Sequence, residues 1–214
     1  MTAKAYDARR RRERAEEERR VTRARVVEAA RRLFLTRGYV ATTMADVARE
    51  AGVALQSVYK AGQSKADLLQ RVADLAVAGD DREVMLIDRP RYTAVADEPD
   101  PKRQVEMIAA LIAATMERLA PVWVAYREAA VVDPKAAANL TAAHGRRHIT
   151  FSGLISMLPE MRLRRPLEES VDAAWAIGSI DVFLLLRSLR GWDAAQYAKW
   201  LSHTLVEQLL AAEC

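Results

Sequence analysis

One short segment carries an amide, a hydroxyl, a phenol and an ammonium group within five residues. Gln56 and Ser57 are followed by Tyr59 and Lys60 in a run that is typical of a short helix. When such a helix enters a major groove, an amide can pair with an adenine edge and a hydroxyl can serve several bases. Leu55, at its start, could contact a thymine methyl group. The alternative is an ordinary solvated helix face, so the surrounding elements must decide.

A histidine pair offers a second kind of chemistry. His144 and His148 are four residues apart on a predicted helix, a spacing at which two imidazoles can hold a transition metal. Arg146 and Arg147 fill the interval where a metalloprotease carries its glutamate, and the chain contains only 3 histidines. No Ser-His-Asp or Cys-His set is suggested. We therefore expect no enzyme and no cofactor, and metal sensing remains an alternative to an organic ligand.

Positive charge is concentrated in the first third of the chain. Residues 1–65 contain 16 Lys and Arg against 8 Asp and Glu, a net +8, whereas the whole chain carries +4. This distribution suits an oriented polyanion-binding surface, and a solvated basic tail is the alternative. The single Cys214 excludes an intrachain disulfide, and no segment has the pattern of a secretion signal or a membrane span. We expect a cytoplasmic protein without membrane association.

The elements that must position these side chains are helices. Residues 1–21, with the Arg9–Arg12 run, are predicted to be a disordered or frayed basic arm. A helix follows from Thr22, and Gly38 is placed to end it with a left-handed cap. Thr42 and Thr43 offer an N-cap for a short helix. Gly52 then permits a sharp turn, and Leu55–Lys60 form a second short helix. Ser64 marks the start of a longer connecting helix.

The remainder of the chain predicts longer helices. Residues 79–101 carry a glycine and three prolines among many acidic residues, which indicates a long connection. Prolines and a capping aspartate then mark the helix starts. The predicted helices are Lys102–Arg118, Pro121–Val132, Pro134 to a point before Pro159, Leu167–Leu189, and a last one from Asp193 to about Leu210. The composition and this pattern together predict an all-α protein.

The first part of this pattern resembles the DNA-binding domain of the TetR family of transcriptional regulators over about residues 22–70. The matching positions are apolar residues, turn residues and polar residues in a fixed order. They are Ala29-Ala30-Arg31-Arg32-Leu33-Phe34, Gly38-Tyr39, Thr42-Thr43-Met44-Ala45-Asp46-Val47-Ala48, Ala51-Gly52-Val53, Val58-Tyr59, Ser64-Lys65 and Leu68-Leu69. The resemblance implies an N-terminal three-helix helix-turn-helix domain (residues 22–66) and a C-terminal helical ligand-binding and dimerisation bundle (residues 67–214).

This resemblance also implies a function. Family members are dimers that bind a palindromic operator in double-stranded DNA, and we expect a repressor that a small-molecule effector releases. An interaction protein with a degenerate helix-turn-helix is the alternative. Tyr59, Lys60 and Lys65 lie where the family contacts phosphates, as does a threonine before the first short helix. The full predicted DNA-binding set is Thr42, Thr43, Leu55, Gln56, Ser57, Tyr59, Lys60 and Lys65.

Two positions depart from the family pattern. Ala54 stands where Ser or Thr is common, so the second short helix loses a side-chain N-cap. Gly62 stands where Phe is common, which removes a packing residue. We therefore expect a looser DNA-binding domain.

The C-terminal bundle offers candidates for a dimer interface and for a ligand pocket. Apolar residues at three- and four-residue spacing predict a two-fold four-helix interface, with a monomeric core as the alternative. These residues are Trp175, Phe183, Tyr197, Leu201 and Leu205. A moderately apolar effector would meet a pocket with a few polar groups. The candidates for its lining are Met107, Leu111, Trp123, Tyr126, Arg127, His148 and Asp181.

Overall fold

The computed structural model describes residues 3–80 and 85–211, with side chains from residue 10 onward. Within these residues it contains ten α-helices and no β-strand, which confirms the all-α prediction. The helices are α1 (Ala3–Ala41), α2 (Met44–Ala51), α3 (Leu55–Ala61), α4 (Lys65–Ala78), α5 (Pro90–Ala96), α6 (Pro101–Val132), α7 (Pro134–Ile155), α8 (Leu167–Ile177), α9 (Ile180–Leu184) and α10 (Ala194–Leu209). A π-helical turn, Leu185–Leu189, continues α9.

The described chain forms two compact units. The first contains the described residues up to 74 together with residues 125–139, and the second contains the remaining described residues of 75–124 and 140–211. The sequence placed the boundary between the two domains at residues 66–67. The structure instead gives the first unit a second, separate stretch of chain, the end of α6 and the start of α7.

Three side-chain pairs tie this second stretch to the rest of the first unit. The Tyr39 hydroxyl donates to Asp133 Oδ2 at 2.5 Å. Lys135 Nζ lies 2.6 Å from Asp67 Oδ2. The buried Tyr126 donates its hydroxyl proton to Gln70 Oε1. The two tyrosine bonds are partly buried, where hydrogen bonds are stronger than in water, and the Lys135–Asp67 pair is exposed. Together the three pairs give the discontinuous unit specific internal contacts.

Most of the predicted turns and caps around the first four helices are present. Gly38 has φ +79° and ψ 169°, so it interrupts α1 without the left-handed helical cap that was predicted, and α1 continues to Ala41. Thr43 is the N-cap of α2, and it forms a reciprocal capping box with Asp46. Gly52 ends α2 in the left-handed conformation with φ +63°. At the start of α4, the Ser64 hydroxyl accepts from the backbone N–H of Asp67 at 3.2 Å.

Helix α6 differs from the prediction of two separate helices. The chain stays helical from Pro101 through Pro121 to Val132. A proline inside a helix removes one backbone hydrogen bond, here to the carbonyl of Glu117, and does not have to end the helix. Among the described helices, α6 alone is long and apolar enough to span a membrane, and 50% of its most apolar stretch is buried within the protein. Burial to this extent is typical of a helix in a protein core.

The predicted helix Leu167–Leu189 is divided in two. Helix α8 ends at Ile177. Ser179 is the N-cap of α9, and its hydroxyl accepts from the N–H of Val182 at 3.3 Å. Gly178 lies against Phe151: a Cβ at this position would be 3.0 Å from the ring. The break therefore allows a close approach that a continuous side-chain-bearing helix would prevent.

The N-cap of α10 provides a stability test. Asp193 accepts from the N–H of Gln196 at 2.8 Å, and the Gln196 side chain accepts from the N–H of Asp193 at 2.9 Å. We expect Asp193→Ala to lower the free energy of unfolding by about 1 kcal/mol, because it leaves helix N–H groups without their acceptor. Urea unfolding measures this. Lys199→Ala, an exposed change on the same helix, should alter it by less than about 0.5 kcal/mol; equal effects would contradict the capping role.

Candidate nucleic-acid interface and ligand cavity

A tight turn sets the direction of α3 relative to α2. The N–H of Gly52 bonds to the carbonyls of Ala48 and Arg49. From α1, Arg25 Nη2 donates to the Ala51 carbonyl at 2.6 Å. A Cβ on Gly52 would lie 3.1 Å from that nitrogen, and the residue has positive φ, so both constraints favour glycine. Helix α3 is thereby held by the turn on one side and packs on α1 and α2 on the other.

The two faces of α3 have different chemistry. Val58 and Ala61 are buried, at 0% and 4% exposure. The outward face carries an exposed amide, phenol and ammonium, a half-buried hydroxyl, and one apolar group. These residues are Leu55, Gln56, Ser57, Tyr59 and Lys60. The structure therefore brings five of the predicted DNA-binding residues onto one solvent-facing surface, with donors suited to base edges and to phosphates.

The two threonines before α2 have different positions. Thr43 is exposed, and its hydroxyl donates to Asp46 Oδ2 at 2.6 Å. Hydrogen bonds from Thr43 lower the pKa of the Asp46 carboxyl. Thr42 is fully buried, and its hydroxyl donates to the Gly38 carbonyl at 2.8 Å. Its side chain satisfies the end of α1 and is not on the surface, so the structure corrects its assignment as a DNA contact.

Lys65 is also directed toward the protein. Its Nζ donates to the Tyr39 carbonyl at 2.9 Å and lies 4.2 Å from the centre of the Tyr39 ring. Burial lowers the pKa of this ammonium. The geometry is that of a cation satisfying a helix C-terminus while contacting an aromatic face. In this structure Lys65 holds α4 against the end of α1 with one of its three N–H donors, and its contact with a phosphate stays a prediction.

The two departures from the family pattern have different consequences. Ala54 is the N-cap of α3 and makes no side-chain cap bond, as expected. Gly62 is buried, and a Cβ there would lie 3.0 Å from the Leu68 backbone nitrogen and 3.1 Å from its Cα. The chain after α3 approaches α4 so closely that a side chain at this position would crowd the Leu68 backbone, and the looser DNA-binding domain stays a prediction.

The basic N-terminal segment is helical. Helix α1 begins at Ala3, so the expected frayed arm continues the first helix of the domain. Arg10, Arg11, Arg12 and Arg23 are exposed along it. The side chain of Arg9 lies outside the described residues.

A cavity of about 350 Å³ lies beside α5 and α6 in the second compact unit. Met107 and Leu111, two of the seven predicted ligand-binding residues, line it. Two arginines that also line the cavity, Arg91 and Arg118, were not among the predicted residues. Arg118 is a charged residue within the apolar sequence of α6, and this could have identified it. Arg91 lies in the acidic connection, where nothing in the sequence indicated a cavity residue.

The other five predicted ligand-binding residues do not line this cavity. Trp123 and Tyr126 are buried, with the Trp123 ring 5.2 Å from that of His144. His148 Nε2 lies 2.9 Å from Asp172 Oδ1 on α8. Arg127 and Asp181 are exposed. Among the described residues, no group of three or more His, Cys, Asp or Glu could hold a metal ion.

The predicted dimer residues lie mostly in the core of a single chain. Tyr197, Leu201 and Leu205 are 0% exposed, and the Phe183 ring packs edge-on against Tyr197 at 4.8 Å. A second copy cannot reach these side chains. Half-buried Trp175 contacts the Arg147 guanidinium at 4.8 Å. The apolar spacing in the sequence therefore identified the face of these helices that packs inside the chain. Large apolar residues that are exposed nearby are Leu185 and Leu189, at 52% and 76% exposure.

Comparison with known proteins agrees with the location of these elements. Residues 26–72 match the sequence model of bacterial regulatory proteins, tetR family. Over 61 residues the chain is 44% identical to the HTH-type transcriptional regulator TtgR of Pseudomonas putida, covering 28% of this chain and 29% of TtgR. The same figures hold for the probable HTH-type transcriptional regulator ArpR of Pseudomonas putida. The match thus spans less than a third of the length of these curated relatives.

Solved structures share the fold over nearly the whole chain. NalD, the secondary repressor of the MexAB-OprM multidrug efflux pump in Pseudomonas aeruginosa, superposes with a TM-score of 0.65 at 18% identity, covering 92% of this chain and 100% of NalD. A putative transcriptional regulator from Saccharomonospora viridis in complex with choline gives 0.63 at 17% identity, covering 89% and 98%. At these identities the likeness concerns the fold.

The close approach at Gly62 provides a test. We expect Gly62→Ala to lower the free energy of unfolding by about 1–3 kcal/mol, because the new methyl group overpacks against the Leu68 backbone. Gly145→Ala is the matched control, since nothing lies within 4 Å of a Cβ there and the residue is in α7. It should raise the free energy by about 0.5–1 kcal/mol. A stabilising Gly62→Ala change would show that the site has spare volume.

Proposed function

This chain belongs to the tetR family of bacterial regulatory proteins through residues 26–72, and from that premise we propose that it is a DNA-binding transcriptional repressor. The observation that supports this most directly is the outward face of α3, with Gln56, Tyr59 and Lys60 exposed above a buried Val58. A helix held in this way by a helix-turn-helix enters a major groove with its polar face toward the bases. NalD, which shares this fold, is itself a repressor, and this is in keeping with the proposal.

In this proposal the residues of α3 have separate tasks. Gln56 and Ser57 read base edges, and Leu55 contacts a thymine methyl group. Tyr59, Lys60 and Thr43 contact phosphates, which fixes the register on the duplex. Arg23 and the arginines of the N-terminal helix add sequence-independent attraction. Thr42 is left out, because its buried hydroxyl already donates to the Gly38 carbonyl. Lys65 donates one N–H to the Tyr39 carbonyl, and its remaining donors contact a phosphate.

The protein acts in the cytoplasm as a homodimer on a palindromic operator. Two-fold symmetry of the protein requires two half-sites related in the same way, about 34–36 Å apart or at multiples of that distance. A small-molecule effector bound in the C-terminal bundle releases the dimer from DNA. Release requires only that the effector binds the DNA-incompetent state more tightly than the DNA-binding state.

The base-reading role of Gln56 can be separated from general affinity. A site is first recovered by selection of bound fragments from a random DNA library. Gln56→Ala should then reduce discrimination at one base pair by about 1–3 kcal/mol, because a paired hydrogen bond is lost. Lys60→Ala should weaken binding to all sequences alike and lower the salt slope by about 1. Fluorescence anisotropy over a range of salt concentrations measures both effects.

The opposite outcome has a definite meaning. Binding that stays weak, unselective and fully screened by salt would contradict a sequence-specific regulator. It would favour the interaction protein with a degenerate helix-turn-helix, whose surface no longer reads DNA.

The dimer surface proposed here includes Leu185 and Leu189, the exposed leucines of the π-helical turn. A charge placed there would be buried against the second copy, so Leu189→Asp should shift the protein from dimer to monomer in sedimentation analysis. Met161→Asp is the control, because Met161 is 89% exposed and lies outside this turn. Met161→Asp should leave the dimer intact, and a dimer unaffected by Leu189→Asp would place the interface elsewhere.

A further inference from the structure

Arginine side chains surround the C-terminal end of α4. Arg118 donates from Nε to the Ala76 carbonyl at 2.9 Å and from Nη2 to the Val77 carbonyl at 3.3 Å. Arg91 Nη2 donates to the Ala78 carbonyl at 2.6 Å. These carbonyls are among the last four of the helix, which have no partner within it. The two guanidinium groups therefore hold the end of α4 to α5 and α6.

These two guanidinium groups retain unused capacity for an anion. Among the described residues neither has a carboxylate partner, and Arg91 Nε is buried with no hydrogen-bond acceptor. Burial lowers the pKa of Arg118, and the nearby charge of Arg91 lowers it further. Each guanidinium offers five N–H donors, so donors remain after the helix carbonyls are satisfied. Two close cations that pair with no carboxylate of the described residues favour binding of an anion.

The cavity of about 350 Å³ lies directly against this pair. Its lining includes Arg91 and Arg118, while the remainder is apolar apart from Thr115, and no acidic side chain contributes. Thr115 Oγ1 accepts from Arg118 Nη2 at 3.3 Å, which orients the guanidinium. Met107 and Leu111 provide the larger apolar surfaces. A volume of this size is at the lower end of the range for small-molecule sites, about 300–1,000 Å³.

We propose that this cavity is the effector site and that it takes a small amphipathic anion, a carboxylate with a short apolar tail. The carboxylate accepts hydrogen bonds from the free N–H groups of Arg91 and Arg118, a geometry that arginine favours with planar anions. The tail lies along Met107 and Leu111. Ala110, exposed at the edge of the cavity, leaves it open to solvent.

Occupancy of this site acts on the end of α4. A bound anion offsets the repulsion between the two arginines and so strengthens their hold on the carbonyls of Ala76, Val77 and Ala78. Helix α4 begins at Lys65, directly after the DNA-binding helices, so the ligand biases the position of an element connected to α3. This regulatory consequence rests on the proposed repressor function, whereas binding of the anion does not.

Binding is tested first on the full-length chain without DNA. Isothermal titration calorimetry compares straight-chain carboxylates of four to ten carbons with the alcohols and amines of equal length. We expect one of these carboxylates to bind at least tenfold more tightly than its matched alcohol and amine. Arg118→Gln should weaken that carboxylate at least tenfold. Arg103→Gln, an exposed arginine on the same helix paired with Glu106, should leave its affinity unchanged.

A second variant keeps the test independent of the arginine bonds to α4. Ala110→Trp fills the mouth of the cavity from an exposed position, so it should abolish carboxylate binding without removing a helix cap. Carboxylates that bind no better than the alcohols, or that still bind Ala110→Trp with unchanged affinity, would overturn the proposal. So would equal losses in Arg118→Gln and Arg103→Gln.

The regulatory step is tested separately with the operator recovered by selection. The bound carboxylate should weaken operator binding by the wild-type protein at least tenfold and leave the Ala110→Trp complex intact. A carboxylate that binds with the expected dependence but does not change operator affinity would overturn its role as effector. A protein that binds the carboxylate but selects no DNA sequence would instead contradict the repressor function and leave the anion site established.

Discussion

The last carbonyls of a helix need hydrogen-bond donors, and in this protein long cationic side chains from elsewhere in the chain supply them. Lys65 reaches the end of α1, Arg25 the end of α2, and Arg118 the end of α4. Arg147 and Arg164 do the same for α8 and α10. A cation at a helix C-terminus satisfies an acceptor and also interacts favourably with the helix dipole. These bonds consequently connect the C-terminal ends of helices to side chains from other parts of the chain, in addition to the packing of the apolar helix faces.

This use of basic residues explains why charge was only a partial guide to the nucleic-acid interface. The basic composition of residues 1–65 did predict a polyanion-binding surface, and exposed Lys60 and Arg23 are in keeping with it. Lys65 and Arg25 contribute to the same total, yet their ammonium and guanidinium groups bond to carbonyls inside the domain. A sequence shows how many cations a segment has. It does not show which carbonyl, 26 residues away in both of these cases, each one reaches.

Local signals predicted the helix starts and turns well, because their causes are local. Thr43, Gly52, Ser64 and Asp193 each act on a backbone group within a few residues. Tertiary contacts decided the remaining cases. The helix α6 continues through Pro121 in a core, and α8 ends at Ile177 where Gly178 meets Phe151. Helical periodicity likewise placed Tyr197, Leu201 and Leu205 on one face, but it could not show that the chain itself covers that face.

The first compact unit is discontinuous in sequence, and this affects how such a protein can exchange parts with others. Tyr39, Asp67 and Gln70 have their partners at Asp133, Lys135 and Tyr126, more than fifty residues further along the chain. Recombination that transfers only the residues before position 74 would leave the buried Tyr39 hydroxyl and the half-buried Asp67 carboxylate without these partners in the recipient. A functional chimera must inherit residues 125–139 as well, or acquire compensating side chains there. The DNA-recognition module is thus less portable than its compact sequence signature indicates.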